Sequence, residues 1–170
     1  MLKAGVLGAG HLGKIHLKLL QQSTKYELVG FYDASKEASE QIETEFGYKS
    51  FPTMQSIINA CDMVVVVTPT STHFECAEKV LKAGKHLFIE KPITQTVAEA
   101  EQIRDLAKEM KVRGQVGQVE RFNPAFQAIK DKINNPMFIE THRLAEFNPR
   151  GTDVSVVLDL MIHDIDAILS

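Results

Sequence analysis

The sequence predicts an α/β fold built on a doubly wound parallel sheet. Three observations support this prediction. Strand and helix patterns alternate from residue 2 to about residue 119, as expected when helices cover both faces of such a sheet. Residues 63–67 form a continuous apolar run, typical of a strand that is buried on both faces. A glycine-patterned turn directly follows the first strand.

The predicted elements follow one another with short connections. We place strands at residues 2–7, 27–32, 49–51, 63–67, 85–89 and 114–119. We place helices at about residues 11–22, 35–46, 54–60, 71–83 and 96–111. Thr96 and Glu99 form a capping box at the start of the last helix.

The turn after the first strand has glycines at Gly8, Gly10 and Gly13. Gly8 allows a tight turn, Gly10 allows the backbone to approach a pyrophosphate, and Gly13 allows the next helix to pack on the strand. That helix begins at His11 and Leu12 and would direct its first amides at the pyrophosphate. Because a strand precedes the turn and a helix follows it, the pattern predicts a dinucleotide site.

Asp33 ends the second strand, twenty residues beyond Gly13. A carboxylate at this position binds the ribose hydroxyls of the adenosine and repels a 2′-phosphate. The sequence therefore predicts NAD as the cofactor, with NADP less favoured. Lys36 lies nearby and is the one feature that would favour a 2′-phosphate.

Other candidate residues follow the later strands, at the sheet edge where ligands of open parallel sheets bind. They are Thr68, Pro69 and His73 after the fourth strand, Glu90 and Lys91 after the fifth, and Gln118 in the sixth. Lys91 could hold a substrate oxygen and stabilise negative charge there, or it could be a polar strand end before a turn. For His73 the alternative is an exposed or capping side chain, and Thr68 and Pro69 are expected to shape the cofactor cleft.

The alternation of strands and helices ends near residue 122, where we place a domain boundary. Asn123 and Pro124 begin a helix, residues 137–147 alternate like a half-exposed strand, and residues 148–151 form a turn or loop. Residues 154–169 predict a very apolar helix, which needs a covering layer. We therefore interpret residues 1–122 as a dinucleotide-binding domain and residues 123–170 as the beginning of a second domain of a longer, truncated protein.

The last predicted helix carries Asp159, His163 and Asp166 at spacings that place them on one helical face. Asp159 can orient His163, whose imidazole could then take the hydroxyl proton that leaves an alcohol during hydride transfer. The alternatives are a structural Asp–His pair and a metal site. A metal is not expected, because no third ligand has a suitable spacing.

The composition bounds the class of protein. The chain has 170 residues and a net charge of −3, which gives no reason to expect a nucleic acid or a membrane surface as partner. We find neither a signal peptide nor a run long enough to span a membrane. Cys61 and Cys76 have no metal or redox spacing and fit a reducing cytoplasm, so we expect a cytoplasmic protein.

Together these motifs resemble the Gfo/Idh/MocA family of oxidoreductases over the whole chain. The resemblance rests most on Glu90-Lys91-Pro92 and on Asp159-x-x-x-His163, with the glycine turn, Asp33 and residues 68–73 in support. It implies that Lys91, Asp159 and His163 form the catalytic group. In that family the histidine is the acid or base, the aspartate orients it and the lysine positions the reacting oxygen.

The resemblance also implies an architecture. Family members join a Rossmann domain to an α/β domain that covers the substrate and often mediates oligomerisation. Residues 123–170 would begin that second domain, and the full-length protein would be a homo-oligomer about twice this length. A cis peptide bond between Lys91 and Pro92 is also implied.

Within the family, residues 119–124 and 158–166 are most similar to nucleotide-sugar 3-dehydrogenases, which act on a UDP-N-acetylglucosamine-type substrate. Arg121 would then contact a phosphate or the cofactor, or form a structural ion pair. We expect an NAD-dependent dehydrogenase acting on a sugar or nucleotide sugar, with the 170-residue chain binding NAD(H) but turning over poorly or not at all alone. The alternatives are a non-catalytic NAD-binding redox sensor and an S-adenosylmethionine-dependent methyltransferase.

Overall fold

The computed structural model describes residues 1–133, 135–144 and 154–170. The chain divides into two compact units, Met1–Val116 and Gly117–Ser170. The sequence places its boundary slightly later, after residue 122. That the second unit begins a substrate domain stays a prediction.

Five parallel strands form the sheet of the first unit. They are β1 (Leu2–Leu7), β2 (Tyr26–Tyr32), β3 (Met63–Val66), β4 (His86–Ile89) and β5 (Gly114–Val116). Their order across the sheet is β2-β1-β3-β4-β5, so the chain crosses to the other half of the sheet between β2 and β3. This arrangement confirms the doubly wound parallel sheet and brings the carboxyl ends of all five strands to one edge.

Five helices cover the sheet of the first unit. They are α1 (His11–Gln22), α2 (Lys36–Phe46), α3 (Met54–Ala60), α4 (His73–Lys82) and α5 (Val97–Glu109). Val64 and Val66 of β3 belong to a core shared with α3, α4 and α5. Val65, between them, belongs to the core shared with α1 and α2. Each fully buried valine contributes about 1.5–3 kcal/mol to folding, which explains the unbroken apolar run of β3.

The helix ends follow the local capping rules. Ser35 accepts a hydrogen bond from the backbone N–H of Ala38 and begins α2. Thr96 and Glu99 form the predicted capping box at the start of α5, which is thereby confirmed. Gly47 ends α2 in the left-handed conformation, with φ of 70°.

The predicted strand at residues 49–51 is wrong, because the segment makes only a single parallel bridge between Phe31 and Ser50. Phe31 donates its N–H to the carbonyl of Lys49 over 3.0 Å and accepts one from Phe51 over 2.8 Å. Pro52 follows at once and has no N–H with which to extend the pairing. The strand predicted at residues 49–51 is therefore reduced to a single bridging residue, Ser50.

The predicted sixth strand is shorter than expected. β5 pairs only with β4, and the last pair joins Val116 to Ile89, where β4 ends. Residues beyond Val116 therefore have no strand beside them, and Val119–Phe122 forms a 3₁₀ turn. The predicted extension to residue 119 is wrong for this reason.

The regular secondary structure described in the second unit is helical. A second 3₁₀ turn at Lys130–Lys132 follows α6 (Pro124–Ile129), and a π turn at Val157–Met161 precedes α7 (Ile162–Leu169). Asn123 caps α6 by accepting a hydrogen bond from Ala125 N over 3.0 Å, which confirms the predicted helix start.

Two predictions for the second unit differ from the structure. Residues 137–144 form no strand, since a strand needs a neighbour and the described residues of this unit supply none. Residues 145–147 of that prediction and the predicted turn at 148–151 lie outside the described residues. The helix predicted at 154–169 is not a continuous α-helix, because Ile162 donates to the carbonyl of Val157 in the π turn.

Across the described ranges, no helix is both long enough and apolar enough to cross a membrane.

Candidate functional site

Two glycines of the turn after β1 are required by close backbone contacts. Gly8 has φ of +90°, and a Cβ there would lie 2.7 Å from the carbonyl oxygen of Val67 and 2.9 Å from the nitrogen of Thr68. A Cβ at Gly13 would collide with the carbonyl group of Gly8. The turn thus presses against both the start of α1 and the end of β3.

Gly10 differs from the other two glycines because it faces open space. A Cβ at Gly10 would have no heavy atom within 4 Å, and its φ is −65°. Gly10 is the N-cap of α1, so no side chain caps the first turn, and no acidic residue lies in that turn. Gly10, His11 and Leu12 are exposed. This leaves helical N–H groups and the positive end of the helix dipole facing an open approach, as a pyrophosphate requires.

Asp33 is fixed by two backbone N–H groups. Its Oδ2 accepts a hydrogen bond from Ala9 N over 2.7 Å, and its Oδ1 accepts one from Ser35 N over 2.9 Å. Each carboxylate oxygen has two lone pairs, so each can still accept a hydroxyl. Asp33 therefore ties the glycine turn to the end of β2 and remains able to bind a diol.

Lys36, the cation near Asp33 in the sequence, pairs with Glu40. Its side chain is 86% exposed, and its ammonium lies 3.8 Å from Glu40 Oε1 one turn along α2. The exposed ion pair contributes little, but it shows that the local cation already has a carboxylate partner.

His73 is 1% exposed, so the alternative of an exposed side chain is wrong. Its Nε2 lies 2.9 Å from the carbonyl oxygen of Thr68, and its Nδ1 lies 2.8 Å from the carbonyl oxygen of Pro92. Both ring nitrogens are thus occupied by main-chain groups. The imidazole joins the segment after β3 to the segment after β4.

Glu90 is 8% exposed and pairs with a histidine that the sequence analysis did not single out. His16 Nε2 lies 2.8 Å from Glu90 Oε1, and the His16 ring packs against Phe88 with centroids 5.3 Å apart. The pair joins α1 to the end of β4. A sequence signal existed, because His16 adjoins the buried stripe of Gly13 and Leu17 on the inner side of α1.

Lys91 is half-buried and is the second residue after β4. Its backbone N–H lies 3.3 Å from Glu90 Oε2. The Lys91–Pro92 peptide bond is cis, which confirms the expectation drawn from the family resemblance. Thr68 and Pro69 are the second and third residues after β3, and they are half-buried and exposed respectively.

The remaining candidates belong to the second unit. Gln118 Oε1 is buried and has no hydrogen-bond partner within the described ranges. Asp159 lies inside the π turn and His163 in the first turn of α7. The prediction of one shared face for these residues rested on α-helical spacing, which the π turn interrupts at Asp159.

Asp166, the third member of that predicted face, is occupied by an ion pair. Arg121 donates from Nε and Nη2 to its two carboxylate oxygens over 2.7 and 2.6 Å. Of the two roles considered for Arg121, the structure shows the ion pair. Asp164 similarly accepts from Arg143 over 2.8 Å, and this hydrogen bond holds the pKa of Asp164 below its usual value.

An open cavity of about 610 Å³ lies elsewhere on the first unit. It lies against the sheet face beside α1, and its lining includes Leu19, Val65, Phe88 and Arg113. None of the predicted cofactor residues lines it. The cavity is therefore separate from the predicted cofactor residues at the carboxyl edge of the sheet.

The first unit fits a dinucleotide. The open approach at Gly10, the uncapped first turn of α1 and the fixed carboxylate of Asp33 supply the three features that such a cofactor needs. Among the described residues there is no group of three or more His, Cys, Asp or Glu side chains that could hold a metal ion.

The comparison with protein families identifies the class. Residues 2–118 match the Gfo/Idh/MocA model, described as the oxidoreductase family with an NAD-binding Rossmann fold. The chain belongs to the Gfo/Idh/MocA family of oxidoreductases, and its first unit is an NAD-binding Rossmann fold. This assignment favours a nicotinamide cofactor over S-adenosylmethionine.

Individual relatives narrow the comparison. UDP-N-acetylglucosamine 3-dehydrogenase of Acidithiobacillus ferrooxidans is 37% identical over 169 residues, which are 99% of this chain and 53% of the relative. Its solved structure matches with a TM-score of 0.89 over 99% of this chain and 56% of that chain. Inositol 2-dehydrogenase of Rhizobium meliloti is 33% identical over 95% of this chain and 52% of its own length. The chain thus spans about half the length of these relatives.

A solved structure that contains the cofactor is also similar. GenD2 from gentamicin A biosynthesis, in complex with NAD, matches with a TM-score of 0.72 and 26% identity. The match covers 77% of this chain and 38% of that chain.

Proposed function

We propose that this chain is the NAD-binding part of an enzyme that transfers a hydride between nicotinamide and a secondary hydroxyl of a sugar or nucleotide sugar. The observation that carries the proposal is the carboxyl edge of the first unit. There an open glycine turn follows β1, a carboxylate held by Ala9 and Ser35 follows β2, and Lys91 follows β4 of the same parallel sheet. The 37% identity to a UDP-N-acetylglucosamine 3-dehydrogenase supports a nucleotide sugar as the substrate.

The cofactor-binding assignments rest on the geometry of each position. Gly8, Gly10 and Gly13 shape the turn, and the amides at His11 and Leu12 face the pyrophosphate. Asp33 accepts hydrogen bonds from the adenosine ribose and disfavours a 2′-phosphate. Thr68, Pro69, His73 and Glu90 form or support the cleft wall, and the unpartnered Gln118 Oε1 would accept a hydrogen bond from the cofactor.

The catalytic assignments concern one proton and one oxygen atom. His163 takes the proton of the substrate hydroxyl during oxidation and returns it during reduction. Asp159 orients the imidazole, and Lys91 donates a hydrogen bond to the reacting oxygen and stabilises negative charge that develops there. The nicotinamide, when bound, supplies the hydride acceptor or donor. The π turn at Asp159 supports this assignment, because π turns in helices are frequent at functional sites.

We also propose a cytoplasmic enzyme that assembles as a homo-oligomer. The cytoplasmic assignment is supported by the two cysteines, which are both free and buried. The oligomer rests on the family resemblance.

The first experiment is a titration of the purified chain with NADH and NADPH, followed by nicotinamide fluorescence. We expect saturable NADH binding near the micromolar range, about −8 kcal/mol, with NADPH at least about tenfold weaker. Lys36→Ala is the control, and it should leave both affinities unchanged because Lys36 is exposed and paired with Glu40. Preference for NADPH would overturn the role of Asp33. Absence of binding to a folded chain would overturn the dehydrogenase proposal.

The substrate class requires a second measurement. NAD⁺ is mixed with UDP-N-acetylglucosamine or with myo-inositol, and the formation of NADH is followed by absorbance. We expect slow turnover that is faster with the nucleotide sugar and is removed by Lys91→Met. Equal rates with the two sugars would overturn the substrate class. Binding of NADH with no turnover of either sugar, in the full-length protein as well as in this chain, would favour a redox-sensing protein.

A further inference from the structure

Lys91 lies in a segment whose two neighbouring residues are both held by buried or half-buried histidines. Pro92, directly after Lys91, accepts from His73 Nδ1 over 2.8 Å. Glu90, directly before it, lies 2.8 Å from His16 Nε2. A histidine therefore contacts the residue on each side of Lys91, and the two histidines belong to different helices, α1 and α4.

Both ring nitrogens of His73 contact main-chain groups of the protein. With 1% of its surface exposed, His73 places its two nitrogens against two main-chain carbonyl oxygens, those of Thr68 and Pro92. An imidazolium donates to both carbonyls, whereas a neutral ring donates to one of them. In either form the ring fixes the distance between the segment after β3 and the segment that carries Lys91.

The His16 tie approaches from the opposite face of the sheet. His16 lies on the helix that begins at the glycine turn, so its contact with Glu90 relates Lys91 to the pyrophosphate end of the cleft. Glu90 is 8% exposed, and its second oxygen lies 3.3 Å from the Lys91 N–H. The carboxylate thus contacts both the helix and the backbone of the lysine.

We propose that His73 and His16 are positioning residues for Lys91, which together set its ammonium relative to the cofactor-binding turns. This inference rests on the proposed function, in which Lys91 contacts the reacting oxygen. Small displacements of a catalytic group have large effects on rate because bound reactants must be aligned. Neither histidine contacts the substrate in this scheme, and both act through the backbone on either side of Lys91.

The test follows Lys91 directly and does not require turnover. The lysines of the chain are reductively dimethylated with ¹³C-formaldehyde, and the Lys91 resonance is identified by its loss in Lys91→Arg. We expect His73→Leu to shift or broaden this resonance, and His73→Gln, which retains an N–H donor, to restore much of the original signal. Val80→Ala is the matched control, since Val80 is fully buried on the same helix and lies in the core below it.

The second tie has its own variant and control. His16→Leu should also change the Lys91 resonance, while Leu17→Ala, at a fully buried neighbour on α1, should destabilise the chain and leave that resonance in place. Thermal unfolding of each variant identifies any that fail to fold. If the Lys91 resonance shifts or broadens in the same way in both controls and in both histidine variants, the change is a general packing effect and the inference is overturned.

The outcomes separate this inference from the proposed function. An unchanged Lys91 resonance in folded His73→Leu and His16→Leu, in a chain that binds NADH, would overturn the positioning role alone. If the Lys91 resonance changes in the two histidine variants but the folded wild-type chain binds no NADH, the positioning role is supported and the dehydrogenase function is overturned. We expect the resonance to change and the affinity for NADH to fall about tenfold in His73→Leu, because Thr68 borders the cofactor cleft.

Discussion

The Gly8→Ala substitution places a methyl group 2.7 Å from the carbonyl oxygen of Val67 and 2.9 Å from Thr68 N. Two costs follow from the structure. Holding alanine at φ of +90° costs about 1–2 kcal/mol by analogy with left-handed conformations. Displacing the end of β3 adds about 1–3 kcal/mol, the usual range for overpacking. We expect a total loss of about 2–5 kcal/mol in the free energy of unfolding.

Alanine substitutions at two other glycines distinguish the conformational cost from the overpacking cost. Gly47 has φ of +70° with no heavy atom within 4 Å of an added Cβ, so Gly47→Ala should lose only the conformational cost of about 1–2 kcal/mol. Gly10 has an ordinary φ of −65° and open space. For Gly10→Ala the lower entropy of the unfolded chain, worth about 0.4–1 kcal/mol, offsets the weaker N-cap, which costs about 1 kcal/mol.

The assay combines urea unfolding, followed by circular dichroism, with the NADH titration. The stability loss should rank Gly8→Ala above Gly47→Ala and Gly47→Ala above Gly10→Ala. In the titration, Gly10→Ala should weaken NADH binding at least about tenfold, or 1.4 kcal/mol, because the methyl group occupies the pyrophosphate approach. Equal stability loss in Gly8→Ala and Gly47→Ala would refute the close contact with β3. Unchanged NADH binding in Gly10→Ala would refute the placement of the pyrophosphate.

Three further predictions concern other parts of the chain. Thr96→Ala removes one half of the capping box of α5 and should lower the free energy of unfolding by about 1 kcal/mol in urea. Burial raises the pKa of the Cys61 thiol to about 12, so the folded chain should resist iodoacetamide at pH 8 until denaturant is added. Arg143 lowers the pKa of Asp164, so the pair stabilises the fold near neutral pH and loses its contribution as pH falls through that lowered pKa. The stability difference between the wild type and Arg143→Gln should therefore narrow on acidification, and a constant difference would contradict this assignment.

Local rules of sequence account for most of the first unit. The apolar run at residues 63–67, the glycine turn, the capping box of Thr96 and Glu99 and the Asn123 cap each depend on neighbours within a few positions, and each was predicted. The doubly wound parallel sheet followed from the alternation of strands and helices. Such features are readable because the physical cause and the residues that show it lie together in the chain.

The features that were missed depend on distant partners. The pairing of His16 with Glu90 joins residues 74 positions apart, and Asp33 reaches Ala9 over 24 positions. The end of β5 is set by the end of β4, and the segment at residues 49–51 is cut short by Pro52 after one bridge. The π turn at Asp159 changes the hydrogen-bond spacing of a helix without changing its apolar pattern, so periodicity alone did not reveal it.

The short pairing at the two sides of the sheet also affects how this chain behaves at high concentration. An edge strand with free N–H and C=O groups is a template on which another chain can add and aggregate. Beyond β2, the segment at residues 49–51 occupies both main-chain groups of Phe31 and then turns away at Pro52. On the other side, β5 offers only three residues, beginning with a glycine. The β5 margin is therefore a poor template for an added strand, and on the β2 side the outer edge is interrupted at Phe31, both of which disfavour edge-to-edge pairing between copies of the chain.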